Sequence, residues 1–199
     1  MKYCVKANNK GSIVVVDNST NYSLFIARNQ DISCFNPRFE TPFPAWDTPM
    51  LVTARDLNEY PRGSFKVERH KQYTEVGAGL GEFVSYAVQR CIRPVIVIDP
   101  VDYGNLYAMI KYARYCLELP GKMKQRLEVL SKRCRNMLNR KVRHIRKTLD
   151  QAIADMPELE GSSDVVVDSV GAVGCNDEFL VLDLEKRLLR SNGTLLTHC

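Results

Sequence analysis

The stretch Lys71–Asp99, KQYTEVGAGLGEFVSYAVQRCIRPVIVID, sets the organisation of the chain. It reads as a strand, a glycine turn, a helix and a second strand that closes on an acid. Gly77, Gly79 and Gly81 fall within five positions, where a backbone must turn tightly and let a ligand come close. Phe83, Ala87 and Val88 then give a helix an apolar face at three-to-four spacing. Val95–Ile98 is a continuous apolar run, as a parallel strand covered on both faces requires. Asp99 follows, twenty positions after Gly79, where a nucleoside-binding fold places a carboxylate for ribose hydroxyls. An ionised carboxylate suits a diol because it only accepts.

Two ligand classes use this layout. The dinucleotide fingerprint G-x-G-x-x-G calls for glycine at position 82, and Glu82 stands there. A carboxylate beside a pyrophosphate would repel it, which disfavours NAD. The pattern acid-x-G-x-G-x-G, led by Glu75, resembles motif I of class I S-adenosylmethionine-dependent methyltransferases. The resemblance implies an α/β fold, a Rossmann-like methyltransferase sheet with helices on both faces. It also implies S-adenosylmethionine as cofactor. Glu75, Gly77, Gly79 and Gly81 would hold its methionine end and Asp99 its ribose. A glycine turn in some other α/β protein is the plain alternative.

Composition bounds the rest. The 199 residues suit one α/β domain with an extension, and 45% hydrophobic with 26% charged residues is ordinary for a globular chain. No run approaches the roughly 20 apolar residues that span a bilayer. The opening MKYCVKANNKGS has no apolar signal core. Seven scattered cysteines without a C-x-x-C pair favour free thiols over disulfides or a zinc site, and a cytoplasmic setting. No metal cluster, Ser-His-Asp grouping or phosphate loop of the G-x-x-x-x-G-K type is visible.

Residues 1–70 form an N-terminal extension, and 71–199 the methyltransferase-like domain. Ser12–Val16 and Tyr22–Ala27 read as a β-hairpin around a turn-rich segment. From Asn36 to Pro61 the chain carries five prolines, with Phe39, Phe43, Trp46 and Tyr60 among them. Such a segment is irregular but too aromatic for a linker, so it reads as a strap over the domain or a lid on a pocket. Asn36-Pro37-Arg38-Phe39 faintly resembles the N-P-P-F motif of amino-methyltransferases acting on nucleic acid, with Arg38 replacing the second proline.

Leu106, Ile110, Ala113 and Leu117 mark one helix after Asp99, and Pro120-Gly121 ends it. Met123, Leu127, Leu130, Cys134 and Met137 mark a second, a helical insertion over about 121–141. Lys122–Lys147 carries eleven Lys and Arg against Glu128 alone, a local net of +10 in a chain of +5. One-sided charge of this kind reads as a contact for nucleic acid or another polyanion, or as a solvated face. No aromatic residue interleaves it to stack on bases.

Val142–Thr148 is a poor strand by composition, but the order of elements calls for the third strand there. The resemblance then places Leu149 and Asp150 beside the adenine; Asp150 as the N-cap of a short helix is an equal reading. Ser162–Val173 contains the next strand. Asp168 closes its apolar part and resembles motif IV, beside the transferred methyl, which makes it the candidate base and a cofactor contact. His70 and His198 are further candidates for reaching the cleft, each more often structural. Asp177–Leu189 reads as a helix with Phe179, Leu180, Leu184 and Leu188 apolar, then a stop at Ser191-Asn192-Gly193 and a fifth strand at Thr194–Thr197.

The resemblance covers Tyr73–Cys199 and stops short of the family's strands six and seven. An open edge at strand five invites association, so the N-terminal hairpin or a second protomer in a homodimer is expected to cover it. The reading is methyl transfer to an unidentified acceptor. A non-catalytic module that keeps the fold is the alternative, and an NAD-linked oxidoreductase the lesser one.

Overall fold

The computed structural model describes residues 2–7, 12–20, 22–26, 32–35, 50–51, 66–79, 81–168 and 178–197. Most of the Asn36–Pro61 strap, His198 and the end of the Ser162–Val173 segment therefore lie outside the described residues.

Strands β1 (Tyr3–Ala7), β2 (Ile13–Asp17), β3 (Ser23–Ile26), β4 (Ile32–Phe35) and β5 (Met50–Leu51) form one antiparallel sheet in sequential order. The expected hairpin is β2–β3. Its turn is closed by the Asp17 amide donating to the Tyr22 carbonyl and by Asp17 Oδ1, which accepts from the Ser19 amide and hydroxyl. The buried side chains alternate along each strand, Val15 and Asp17 on β2, Leu24 and Ile26 on β3. That period of two turns one face of the sheet inward.

The second sheet follows from the glycine-turn region. Its elements are β6 (Tyr73–Val76), α1 (Glu82–Ala87), β7 (Val95–Ile98), α2 (Tyr103–Cys116), α3 (Gly121–Met137), β8 (Val142–Ile145), α4 (Leu149–Asp155), a 3-10 turn at Pro157–Leu159, β9 (Ser163–Asp168), α5 (Glu178–Leu188) and β10 (Leu189–Thr197). The strand order is β10-β9-β6-β7-β8, and every pairing is parallel. The chain winds outward from β6 through β7 to β8, then returns to lay β9 on the other side of β6. This is a Rossmann-like sheet, with its switch point between β6 and β9.

Alternation along the central strands sorts the core into two layers. Tyr73, Val95, Val97, Val165 and Val167 pack with α1, α2, α3 and the inner face of the N-terminal sheet. Val76, Ile96, Ile98 and Val166 pack with α4 and α5. The insertion helix α3 buries Met123, Leu127, Leu130, Cys134 and Met137, the residues that its apolar period singles out. Each buried side chain of this size contributes about 1.5–3 kcal/mol, so α3 is anchored in the core rather than appended to it. Among the described residues no helix is long and apolar enough to cross a membrane.

Three expectations are corrected. The hairpin does not cover β10, because β2 and β3 belong to the other sheet and meet α2 instead. The Ser191-Asn192-Gly193 stop does not precede the last strand. It lies inside β10, where the pairing jumps from Leu189↔Ser163 to Thr194↔Val165 and the intervening residues bulge. Phe179 and Leu180 do not face the core. They are 86% and 49% exposed, and α5 turns Val181, Leu184, Glu185 and Leu188 inward.

Candidate functional site

The carboxyl ends of the parallel strands bring the sequence-derived residues to one edge. Gly77 follows β6, Asp99 follows β7, Leu149 and Asp150 open α4 after β8, and Asp168 ends β9. The switch point lies between the ends of β6 and β9, where Val76 is paired with Asp168.

Gly77, Gly79 and Gly81 all have positive φ, at 63°, 52° and 70°. The turn they make is held by the Gly77 amide on the Ile98 carbonyl at 3.0 Å and by the Gly79 amide on Asp99 Oδ2 at 3.0 Å. Asp99 Oδ1 accepts from the Val101 amide at 2.8 Å. Asp99 is only 2% exposed, and burial raises its pKa while these amide bonds oppose the rise. A carboxylate offers about four acceptor sites, of which the two amides and the neighbouring Tyr103 hydroxyl occupy a part. Asp99 is thus a clamp on the glycine turn as well as a candidate ribose acceptor.

Gly81 has a different task. It caps α1 in the left-handed region, and a Cβ there would meet Met137 Sδ of α3 at 2.7 Å. The third glycine answers first to its left-handed backbone and second to the approach of Met137 from the insertion helix, a contact that the motif alone does not contain.

Tyr103 and His144 complete the surroundings of Asp99. The Tyr103 hydroxyl donates to the Gly79 carbonyl at 2.8 Å, and its ring meets the His144 imidazole edge-on at 5.0 Å. His144 Nε2 lies 2.8 Å from the Asp99 carbonyl. A carbonyl only accepts, so that nitrogen carries the proton. Burial, with the nearby Asp99 and Glu75 charges, pushes the Tyr103 hydroxyl well above its usual range and keeps it a donor. Sequence reasoning passed over both residues. His144 shares its alternating face with Val142, but so weak a strand gave no register from which to place it.

Glu75 is fully buried in β6, paired with Val97 and Val167, on the layer that faces α1 to α3. Asp168 belongs to the opposite layer. It is 1% exposed and sits beside Glu185 of α5, itself fully buried. Burial, then the Asp168 charge and a hydrogen bond to it, push the Glu185 carboxyl up to about 9. At neutral pH Glu185 therefore keeps its proton.

Leu149 is a core residue on α4. The N-cap of that helix is Thr148, in a capping box with Gln151, so Asp150 is one turn position inside and not the cap. Asp150 Oδ1 is buried and has no hydrogen-bond partner among the described residues. His70 is exposed and precedes β6 at the amino edge of the sheet, away from the strand ends that carry the other candidates.

The rim is braced from the N-terminal sheet. Asp102 caps α2 by accepting from the Asn105 amide and pairs with Arg146 at 2.9 Å. The Asp102 amide meets the Tyr22 hydroxyl, and Asn105 Nδ2 donates to Thr20 Oγ1. The β2–β3 turn is therefore seated at the start of α2. The basic stretch is also less one-sided than its sequence. Arg143 pairs with Glu158, Arg146 with Asp102 and Lys147 with Asp155, all acids from outside 122–147.

No protein-family model matches the chain, and no curated protein matches it by sequence. Among solved structures it is similar to fibrillarin from Aeropyrum pernix, crystallised with natively bound S-adenosyl-L-methionine, at 11% identity and a TM-score of 0.39. That alignment covers 98% of this chain and 76% of the fibrillarin chain, a likeness too distant to carry function from one to the other.

Proposed function

We propose that the chain binds S-adenosylmethionine at the carboxyl edge of its parallel sheet and transfers the methyl group to an acceptor. One observation carries the reading. The turn after β6 and the acid after β7 are joined by the Gly79–Asp99 bond, beside the switch point where open α/β sheets bind nucleoside ligands. The unpartnered Asp150 oxygen supports it, since a buried acceptor of this kind is costly until a donor such as an exocyclic amine meets it. Glu82 in place of a third phosphate-side glycine favours this cofactor over NAD.

The residues present fit the group. The glycine backbone at Gly77 and Gly79 would admit the methionine end, and the remaining acceptor capacity of Asp99 would take ribose hydroxyls. Asp150 would accept from adenine. When bound, the cofactor supplies a sulfonium methyl activated for in-line displacement, so the chain's contribution is chiefly positioning. Asp168, at the end of β9 beside Glu185, would take the acceptor's proton.

A second reading, a binding module without turnover, draws support from the near-complete burial of Asp168. Calorimetry with S-adenosylmethionine, S-adenosylhomocysteine and NAD, followed by methyl-label transfer, separates the readings. Binding of the first two without NAD, together with label transfer, is expected. Binding without transfer leaves the module, and NAD binding alone removes the proposal.

A further inference from the structure

A second cleft lies at the opposite, amino edge of the sheet. Its volume is about 660 Å³, and Lys66, Arg69, Arg90 and Lys141 line it, with no carboxylate lining it among the described residues. The four cations come from three separate segments, and main-chain bonds hold these in register. The Ile92 amide donates to the Arg69 carbonyl at 3.0 Å, and the Val95 amide to the Lys141 carbonyl at 2.9 Å. Arg90 is further fixed by stacking 3.8 Å above the Tyr86 ring and by donating from Nη1 to the Tyr86 carbonyl at 2.9 Å. A guanidinium held this way keeps donors in a planar fork that matches phosphate oxygens.

Among the described residues, Glu68 and Asp164 of this edge are already engaged. Glu68 pairs with Lys71 at 2.6 Å, and Asp164 pairs with Arg190 at 2.8 Å and accepts from the Gln72 amide. Four like charges converging on one cleft repel one another until an anion joins them. Val67 and Cys91 are buried beneath the cations and Ile92 is 54% exposed, so the cleft also offers apolar surface. Burial pushes the Cys91 thiol up, which suits a floor and not a nucleophile.

We infer that this cleft binds a phosphorylated small molecule of nucleotide size, its phosphates on Arg69, Arg90, Lys66 and Lys141 and its ring or sugar against Tyr86 and Ile92. The volume lies within the usual range for small-ligand sites, about 300–1,000 Å³. The cations ring one cavity, whereas a polymer backbone needs a track. The site stands on the edge away from the candidate cofactor cleft and does not depend on it.

Calorimetry of the full chain at low ionic strength, with inorganic pyrophosphate, ADP and a short single-stranded RNA as separate probes, tests the inference. Pyrophosphate and ADP should bind saturably, and ADP should remain bound in excess S-adenosylhomocysteine. Arg90→Glu and Lys141→Glu should each weaken both at least tenfold, with Arg90→Gln and Lys141→Gln shifting the same way by less. Lys6→Glu makes the same charge change on exposed β1 and should leave binding intact. Circular dichroism melts confirm folding, since these four side chains are exposed. The inference fails if neither small probe binds, or if Lys6→Glu weakens binding as much as Arg90→Glu. It fails equally if S-adenosylhomocysteine displaces ADP while pyrophosphate does not bind. RNA binding without saturable pyrophosphate binding would assign the cations to a nucleic-acid backbone instead.

Discussion

The Gly79 amide donates to Asp99 Oδ2 across 3.0 Å, tying the glycine turn to the end of β7 over a separation of twenty residues. A ligand-binding acid at this place in the sequence is also the acid that shapes the loop. Removing it is therefore a structural event first. Asp99→Ala leaves the Gly79 and Val101 amides without their acceptor, at about 1–3 kcal/mol for each unsatisfied buried group. Urea denaturation should show a loss of about 2–6 kcal/mol before any cofactor is added. An unchanged midpoint would show that the clamp contributes nothing.

Tyr103→Phe separates the shape of the loop from its charge. It removes the hydroxyl donated to the Gly79 carbonyl and keeps the ring against His144. A stability loss of about 0.5–1.5 kcal/mol is expected, with weaker binding of S-adenosylhomocysteine, because the turn loses its second tether. Wild-type affinity in a destabilised variant would place the cofactor elsewhere.

Gly81→Ala tests the packing of the insertion helix. An L-residue at φ 70° costs about 1–2 kcal/mol, and the new Cβ meets the flexible end of Met137. In a Met137→Ala background the backbone cost should persist while the steric part disappears. Double-mutant denaturation cycles measure the difference. Strict additivity would show that Met137 does not press on this position.

Glu185 sets a pH dependence of unusual sign. Its folded value, about 9, lies above the ordinary 4.5. Between those values the folded chain holds a proton that the unfolded chain releases, so stability falls as pH rises through this window. Glu185→Gln should flatten the fall and stabilise the protein at pH 8 by about 1–3 kcal/mol, the cost of one poorly satisfied buried group. Melting curves at several pH values decide it. Parallel profiles for the two proteins would mean that Glu185 does not keep its proton.

The sequence by itself determined the order of the parallel-sheet elements, because local signals carry it. Apolar runs without alternation mark β7 and β9, the four-and-three spacing marks α3, and the glycine turn precedes α1. It also brought Gly77, Gly79, Asp99, Asp150 and Asp168 to one edge, since strands in a parallel sheet all end on the same side. Tertiary structure decided what those residues touch. Asp99 and Asp168 end neighbouring parts of one edge but belong to opposite layers, an outcome of register that no single segment encodes. The same holds for charge. The excess at 122–147 is reduced by Asp102, Asp155 and Glu158, whose approach depends on how α2, α4 and the 3-10 turn after it are placed around β8. The cations of the amino-edge cleft lie far apart in the chain and meet only because three loops end at one sheet edge. Periodicity is a short-range property and survives in sequence; convergence is long-range and exists only once the chain has packed.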